Sequence, residues 1–138
     1  MVKYDLLDYT GAIADYNKAI ELNQNDYVVY GNRGLAKYYL KDYTGAIVDY
    51  STFISKNREN DDAYNSRGLA KLFVSDYLGA IADFNKAISI NPEIGYYYIH
   101  SAIAKMERKD TLGACLDLSK AGELGVSSAY ESIKKYCN

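Results

Sequence analysis

The chain has 138 residues, 49% apolar and 25% charged, enough to bury one sizeable core and against the composition of a disordered segment. A net charge of −2 with interleaved signs argues against a dedicated phosphate-binding surface, so neither nucleic acid nor an anionic membrane is expected as a partner. A single proline, Pro92, leaves nearly all of the chain free to be helical. No apolar run approaches the ~20 residues of a membrane span. Met1-Val2-Lys3-Tyr4-Asp5 lacks a signal-peptide core, which makes the cytoplasm the default expectation.

Taken from the N-terminus, the first feature is Asp8-Tyr9-Thr10-Gly11-Ala12-Ile13. It returns as Asp42-Tyr43-Thr44-Gly45-Ala46-Ile47 and Asp76-Tyr77-Leu78-Gly79-Ala80-Ile81. A weaker copy, Asp110-Thr111-Leu112-Gly113-Ala114-Cys115, completes a series with a constant spacing of 34 residues. A second block shares the period. Tyr30-Gly31-Asn32-Arg33-Gly34-Leu35-Ala36-Lys37 recurs as Tyr64-Asn65-Ser66-Arg67-Gly68-Leu69-Ala70-Lys71, then in degenerate form as Tyr98-Ile99-His100-Ser101-Ala102-Ile103-Ala104-Lys105.

Each unit therefore holds two segments, both helical by spacing. In the second, Ala46, Ile47, Tyr50 and Ile54 form one stripe, repeated by Asp15-Tyr16-Ala19-Ile20 and Asp83-Phe84-Ala87-Ile88. In the first, Tyr30, Gly34 and Lys37 share one side, and Leu35, Tyr38 and Tyr39 another. Asp42 and Asp76 are placed to cap second helices, Asp26 and Asp61 to cap first helices. Connections of only a few residues force antiparallel neighbours. Gly34 and Gly68 fall mid-helix, where glycine costs about 1 kcal/mol relative to alanine; close helix approach is expected there, with Ala46 and Ala80 opposite.

The expected division is an array over 1–128 (a partial repeat over 1–26, then repeats over 27–60, 61–94 and 95–128) and a closing helix over 129–138. The closing helix has Ser127 or Ser128 as cap, Tyr130, Ile133 and Tyr136 at helical spacing, and Glu131, Lys134 and Lys135 outward. Residues 1–7 hold only the last part of a first helix, so one face of the helix over 10–22 is expected to be exposed or covered by another chain.

A helix–turn–helix unit of this length and residue order resembles the tetratricopeptide repeat (TPR). Repeat 61–94 carries the family pattern most fully, at Tyr64, Gly68, Tyr77, Ala80, Phe84, Ala87 and Pro92. Repeat 27–60 matches at Tyr30, Gly34, Tyr43, Ala46 and Tyr50, with Phe53 and Arg58 where Ala and Pro are usual. Repeat 95–128 keeps Tyr98, Ala102, Ala114 and Ala121 but has no glycine in the first-helix position. The resemblance implies an all-α fold, a right-handed superhelical solenoid of antiparallel helix pairs, acting as a protein-interaction scaffold.

In that family the first helices of successive repeats line a concave groove that receives a peptide. Carried over, the groove comprises Asn32, Leu35, Tyr38 and Tyr39, then Asn65, Leu69, Leu72 and Phe73, then Tyr96, Ile99, His100, Ile103 and Met106. Packing between repeats accounts for several of these, but so many large apolar side chains at one period exceed what pairwise packing requires. A protein or peptide ligand with apolar or aromatic residues is therefore expected, its backbone held by Asn32 and Asn65. Many TPR domains grip acidic C-terminal tails with Lys, Asn and Arg. Asn32 matches one such asparagine, but Asp62 stands where a lysine belongs and Ser66 where an arginine belongs, so acidic tails are expected to bind poorly.

Arg33 and Arg67 are expected to pair with an aspartate of the preceding unit, Asp15 and Asp49 respectively, with pairing inside the unit as the alternative. Cys115, standing where other units have isoleucine, is expected to be a buried small side chain, and Cys137 a free exposed thiol, with no disulfide framework. Two cysteines and one histidine are too few for a structural zinc site, so no metal or cofactor is expected. No phosphate-cradling or nucleophile motif is present, His100 has no Asp or Cys partner in its own helix, and no catalytic residue is assigned. The alternative to a scaffold is a self-assembling module that forms a homo-oligomer through residues 1–26.

Overall fold

The computed structural model describes residues 8–138. Among these the chain forms eight helices and no strands: α1 (Tyr9–Leu22), α2 (Tyr27–Tyr39), α3 (Tyr43–Lys56), α4 (Asp61–Phe73), α5 (Tyr77–Ile90), α6 (Gly95–Glu107), α7 (Thr111–Glu123) and α8 (Ser128–Tyr136). They pack as sequential antiparallel pairs, as the 34-residue period predicts. The chain divides into two compact units, 1–58 with α1 to α3 and 59–138 with α4 to α8. The expectation for residues 1–7 lies outside the described residues.

The recurrent Asp-x-x-Gly is the start signal of α1, α3, α5 and α7. Asp8, Asp42, Asp76 and Asp110 each accept from the backbone N–H of the glycine three residues on, at 2.8 to 3.0 Å. The carboxylate lies across the glycine, where a Cβ would collide with it. Caps of the first helices differ from expectation. Asp26 makes no side-chain cap bond, and α4 is capped by Asn60, whose Oδ1 accepts from Ala63 N–H at 2.8 Å. Asp61 already belongs to the first turn, one residue too late to cap it, and its carboxylate instead accepts from the Tyr97 hydroxyl at 2.8 Å. Ser127, ahead of α8, likewise makes no side-chain cap bond.

In the first unit, Ala36 of α2 and Ala46, Tyr50 and Ile54 of α3 are buried. A Cβ on Gly34 would meet Asp49 and the Tyr50 ring at 3.3 Å. In the second unit, Phe84 is fully buried with Ala80 and Ala104, packed by Leu69, Leu72 and Ile81. A Cβ on Gly68 would lie 2.7 Å from the Phe84 ring. Both glycines thus permit close helix approach. The groups nearest them are the Asp49 and Tyr50 side chains and the Phe84 ring, not the expected Ala46 and Ala80, because each ring occupies the space a Cβ would need.

The arginines correct a third expectation. Arg33 grips Asp49 through Nε and Nη2 at 2.8 and 2.7 Å, and Lys37 Nζ joins the same carboxylate at 2.9 Å. Arg67 repeats this with Asp83 at 2.9 and 2.7 Å, with Lys71 at 2.9 Å. Pairing is within the unit, since the short turn folds α2 directly back onto α3 and α4 onto α5. Arg33 does reach the preceding helix, but its partner there is Asn17 at 2.8 Å, and Asp15 is exposed. The aspartate hydrogen bonds raise both arginines' pKa above the usual value, the effect outweighing burial.

The cysteines are a fourth correction. Cys115 and Cys137 form a disulfide, Cα to Cα 5.8 Å, linking α7 to the end of α8. Packing of Ile133 and Cys137 against Ala102, Ala114 and Leu118 brings together two residues 22 positions apart, which spacing alone does not reveal.

Candidate binding surface

The residues expected to line the groove all fall on first helices, α2, α4 and α6. In the first unit, Asn32, Leu35 and Tyr39 of α2 are exposed, and Tyr38 is half-buried. Tyr38 meets Tyr43 edge-on at 5.4 Å and Tyr39 at 5.8 Å, while Tyr39 stacks on Tyr9 of α1 at 4.9 Å. Burial, then the neighbouring tyrosines, raises the Tyr38 hydroxyl above its usual pKa, so it stays a neutral donor. The α2 end is therefore an aromatic platform with one accessible ring, Tyr39.

In the second unit, Leu69 and Leu72 pack on the Phe84 core, whereas Phe73 at the end of α4 is exposed. Asn65 is buried, and its Oδ1 faces His100 Nδ1 at 2.7 Å. With the amide oxygen on that side, Nδ1 carries the proton and Nε2 is the acceptor. The imidazole also lies against the Phe84 ring at 5.7 Å. Burial lowers the His100 pKa, holding the ring neutral at pH 7. The Asn65 oxygen is thus taken up by a side chain 35 residues away, a contact the sequence reading did not anticipate.

On α6, Tyr96 and Ile103 are exposed, while Ile99 and Met106 are half-buried. Ile99, Ile103 and Met106 line a cavity of about 330 Å³ together with Ala102, Leu118 of α7, and Ser132 and Tyr136 of α8. Glu107 stands at the same cavity. Leu118, Ser132 and Tyr136 were not among the expected site residues. The only signal for Tyr136 was its helical spacing with Ile133, which reads equally as a closing helix. Among the described residues, no group of three or more His, Cys, Asp or Glu side chains is placed to hold a metal ion, and no helix is long and apolar enough to cross a membrane.

A family model for the tetratricopeptide repeat matches residues 2–26 and 61–94. With the fold above, this decides the repeat type. The matched segments are tetratricopeptide repeats, and the described helix pairs have the TPR-like fold. Solved structures with the same TPR-type solenoid fold include MamA 41-end from Desulfovibrio magneticus RS-1, at 23% identity and TM-score 0.82 over 85% of this chain. This chain spans 66% of that MamA chain. The TPR domain of Arabidopsis OM64 is 25% identical, with TM-score 0.75 over 80% of this chain and 93% of that one. The first TPR of Spaghetti (RPAP3), bound to the HSP90 peptide SRMEEVD, is 19% identical, with TM-score 0.76 over 80% of this chain and 90% of that one. No curated protein sequence matches the chain significantly.

Proposed function

We propose that this TPR chain is a protein-interaction scaffold, not a catalyst, and that its first-helix faces receive a partner segment bearing large apolar side chains. The observation that carries this is exposure at matched repeat positions. Tyr39 and Phe73, 34 residues apart, are 54% and 55% exposed, and Leu35 and Ile103, two periods apart, are 45% and 44% exposed. A single exposed apolar residue is ordinary, but the same repeat position left open more than once marks a face that each repeat keeps available to a partner. The cavity beside Ile99, Ile103 and Met106 is large enough to take apolar side chains of such a segment. Asn32 is exposed and free to address a ligand backbone. In the second unit, the solvent side of the Asn65–His100 pair does so instead.

An acidic C-terminal tail is a poor fit. Asp62, at the start of α4, is exposed and carries the wrong sign, and Ser66 offers no guanidinium. A peptide such as SRMEEVD is expected to bind more weakly than about 100 µM. The test is a selection of random displayed peptides on wild-type protein, followed by rebinding to Phe73→Glu and Ile103→Glu variants. Both positions are exposed, so the fold tolerates the charge. Enrichment of peptides with spaced Leu, Phe or Met, lost in both variants, supports the reading. Equal binding to the variants overturns it. The competing reading is self-association through residues 1–26, where α1 has no fully buried residue and Leu22 is 89% exposed. A concentration-dependent dimer abolished by Ile13→Glu with Tyr16→Glu would favour it.

A further inference from the structure

The α8 wall of the cavity depends on a covalent link. α8 has nine residues and no side-chain cap, and an isolated helix of that length is unstable in water. Its hold on the second unit consists of a few contacts. Ala129 packs on Ala121 and Val126; Ile133 and Cys137 pack on Ala102, Ala114 and Leu118. The Tyr130 hydroxyl donates to the Gly122 carbonyl at 3.1 Å. To these the Cys115–Cys137 bridge adds a fastening directly after Tyr136, which with Ser132 faces Ile99, Ile103 and Met106 across the cavity. Both cysteines are half-buried, so neither is sealed within the core.

We propose that Cys115–Cys137 is a redox clasp that sets whether the α8 wall of the binding surface is closed, an inference that rests on the first-helix face being that surface. A dithiol reductant opens it by exchange. Its thiolate attacks one sulfur and forms a mixed disulfide, and its second thiol then displaces the protein sulfur. The dithiol leaves as its own disulfide, and the chain gains two thiols, with two electrons and two protons transferred. While the bridge is closed, α8 is held at both ends, by the chain through Val126 and by the link to α7. Once it is open, a detached α8 is no longer tethered and becomes more populated. Detachment removes the Tyr136 and Ser132 wall and uncovers Leu118 beside Ile99 and Met106. The pocket then becomes a longer apolar surface. A glutathione-buffered compartment favours the open form and an oxidising one the closed form.

Hydrogen–deuterium exchange on the full chain tests this, with thiols counted by alkylation and mass before and after dithiothreitol. Air-equilibrated protein is expected to alkylate at neither cysteine, and reduced protein at both. On reduction the amides over 128–137 are expected to exchange about a hundredfold faster, the scale that loop closure across such a span gives. Amides of α4 and α5 should not change. Cys137→Ser is expected to start in the fast state and to ignore the reductant. Two alkylated thiols without faster exchange over 128–137 overturn the clasp, as does free alkylation of both cysteines before reduction. Neither result depends on a peptide being found, so failure of the clasp and failure of the binding surface are read separately.

Discussion

Repeats 61–94 and 95–128 share a period and a helix pair but are held together by different means. In the former, Asp83 takes a bidentate Arg67 and Lys71, and the Phe84 ring fills the space a Cβ on Gly68 would need. One period later these positions are Asp117, Ser101, Lys105, Leu118 and Ala102. Among the described residues only the Lys105–Asp117 bond survives, at 2.6 Å, and the buried Ser101 hydroxyl meets no hydrogen-bond partner. What the later repeat lacks in ion pairing it regains from α8 and the disulfide, which pack on α6 and α7. A repeat's internal fastening is thus replaceable when its outer neighbour supplies packing.

The largest expected effect that would break this comparison is at the aspartates. Asp83→Ala leaves Arg67 and Lys71 without their shared carboxylate and is expected to remove about 3–4 kcal/mol of stability in urea denaturation. Asp117→Ala, which strands only Lys105, should cost about 1 kcal/mol. Equal losses would show that the two repeats are fastened alike. Next come the glycines. Gly68→Ala presses a methyl into the Phe84 ring and is expected to lower stability by about 1–2 kcal/mol. Gly34→Ala meets its neighbours at 3.3 Å and gains helix propensity, so it should fall within about 0.5 kcal/mol of wild type. Calorimetric melting of the pair measures the difference. Ser101→Ala removes the orphaned hydroxyl and should stabilise the chain by about 1 kcal/mol, read from the same melts.

The smallest expected effect is a pH dependence from His100. Burial holds its folded-state pKa below the usual histidine value of about 6.5. The folded chain therefore binds fewer protons than the unfolded one between the two values. The stability this site contributes is complete above about pH 6.5 and is lost as pH falls through the lowered folded value. His100→Gln should flatten the stability profile in that interval, and a profile identical to wild type would remove His100 from the account.

The helix pairs and their starts were legible because the information is local. An Asp three residues before a Gly caps a helix whichever repeat it stands in, and the Ala46, Tyr50 and Ile54 stripe needs only helical spacing. The first-helix cap was misplaced by one residue, at Asp61 instead of Asn60, since several adjacent Asn and Asp side chains satisfy the same local pattern. Of the expected groove, the exposed members Leu35, Tyr39, Phe73, Tyr96 and Ile103 could not be separated from the packed Leu69 and Leu72 by period alone. One face of a helix both packs and binds, and apolar character is the same signal for each.

By itself, then, the sequence determined the period, the kind and order of the described helices, and the repeat type, all of which follow from contacts between residues near one another in the chain or from exact recurrence. Tertiary structure alone decided that Arg33 pairs with Asp49 and not Asp15, that Asn65 faces His100, and that Cys115 joins Cys137. Each of those choices turns on which faces of neighbouring helices meet, and that is fixed by packing around Gly34, Phe84 and Leu118, not by spacing.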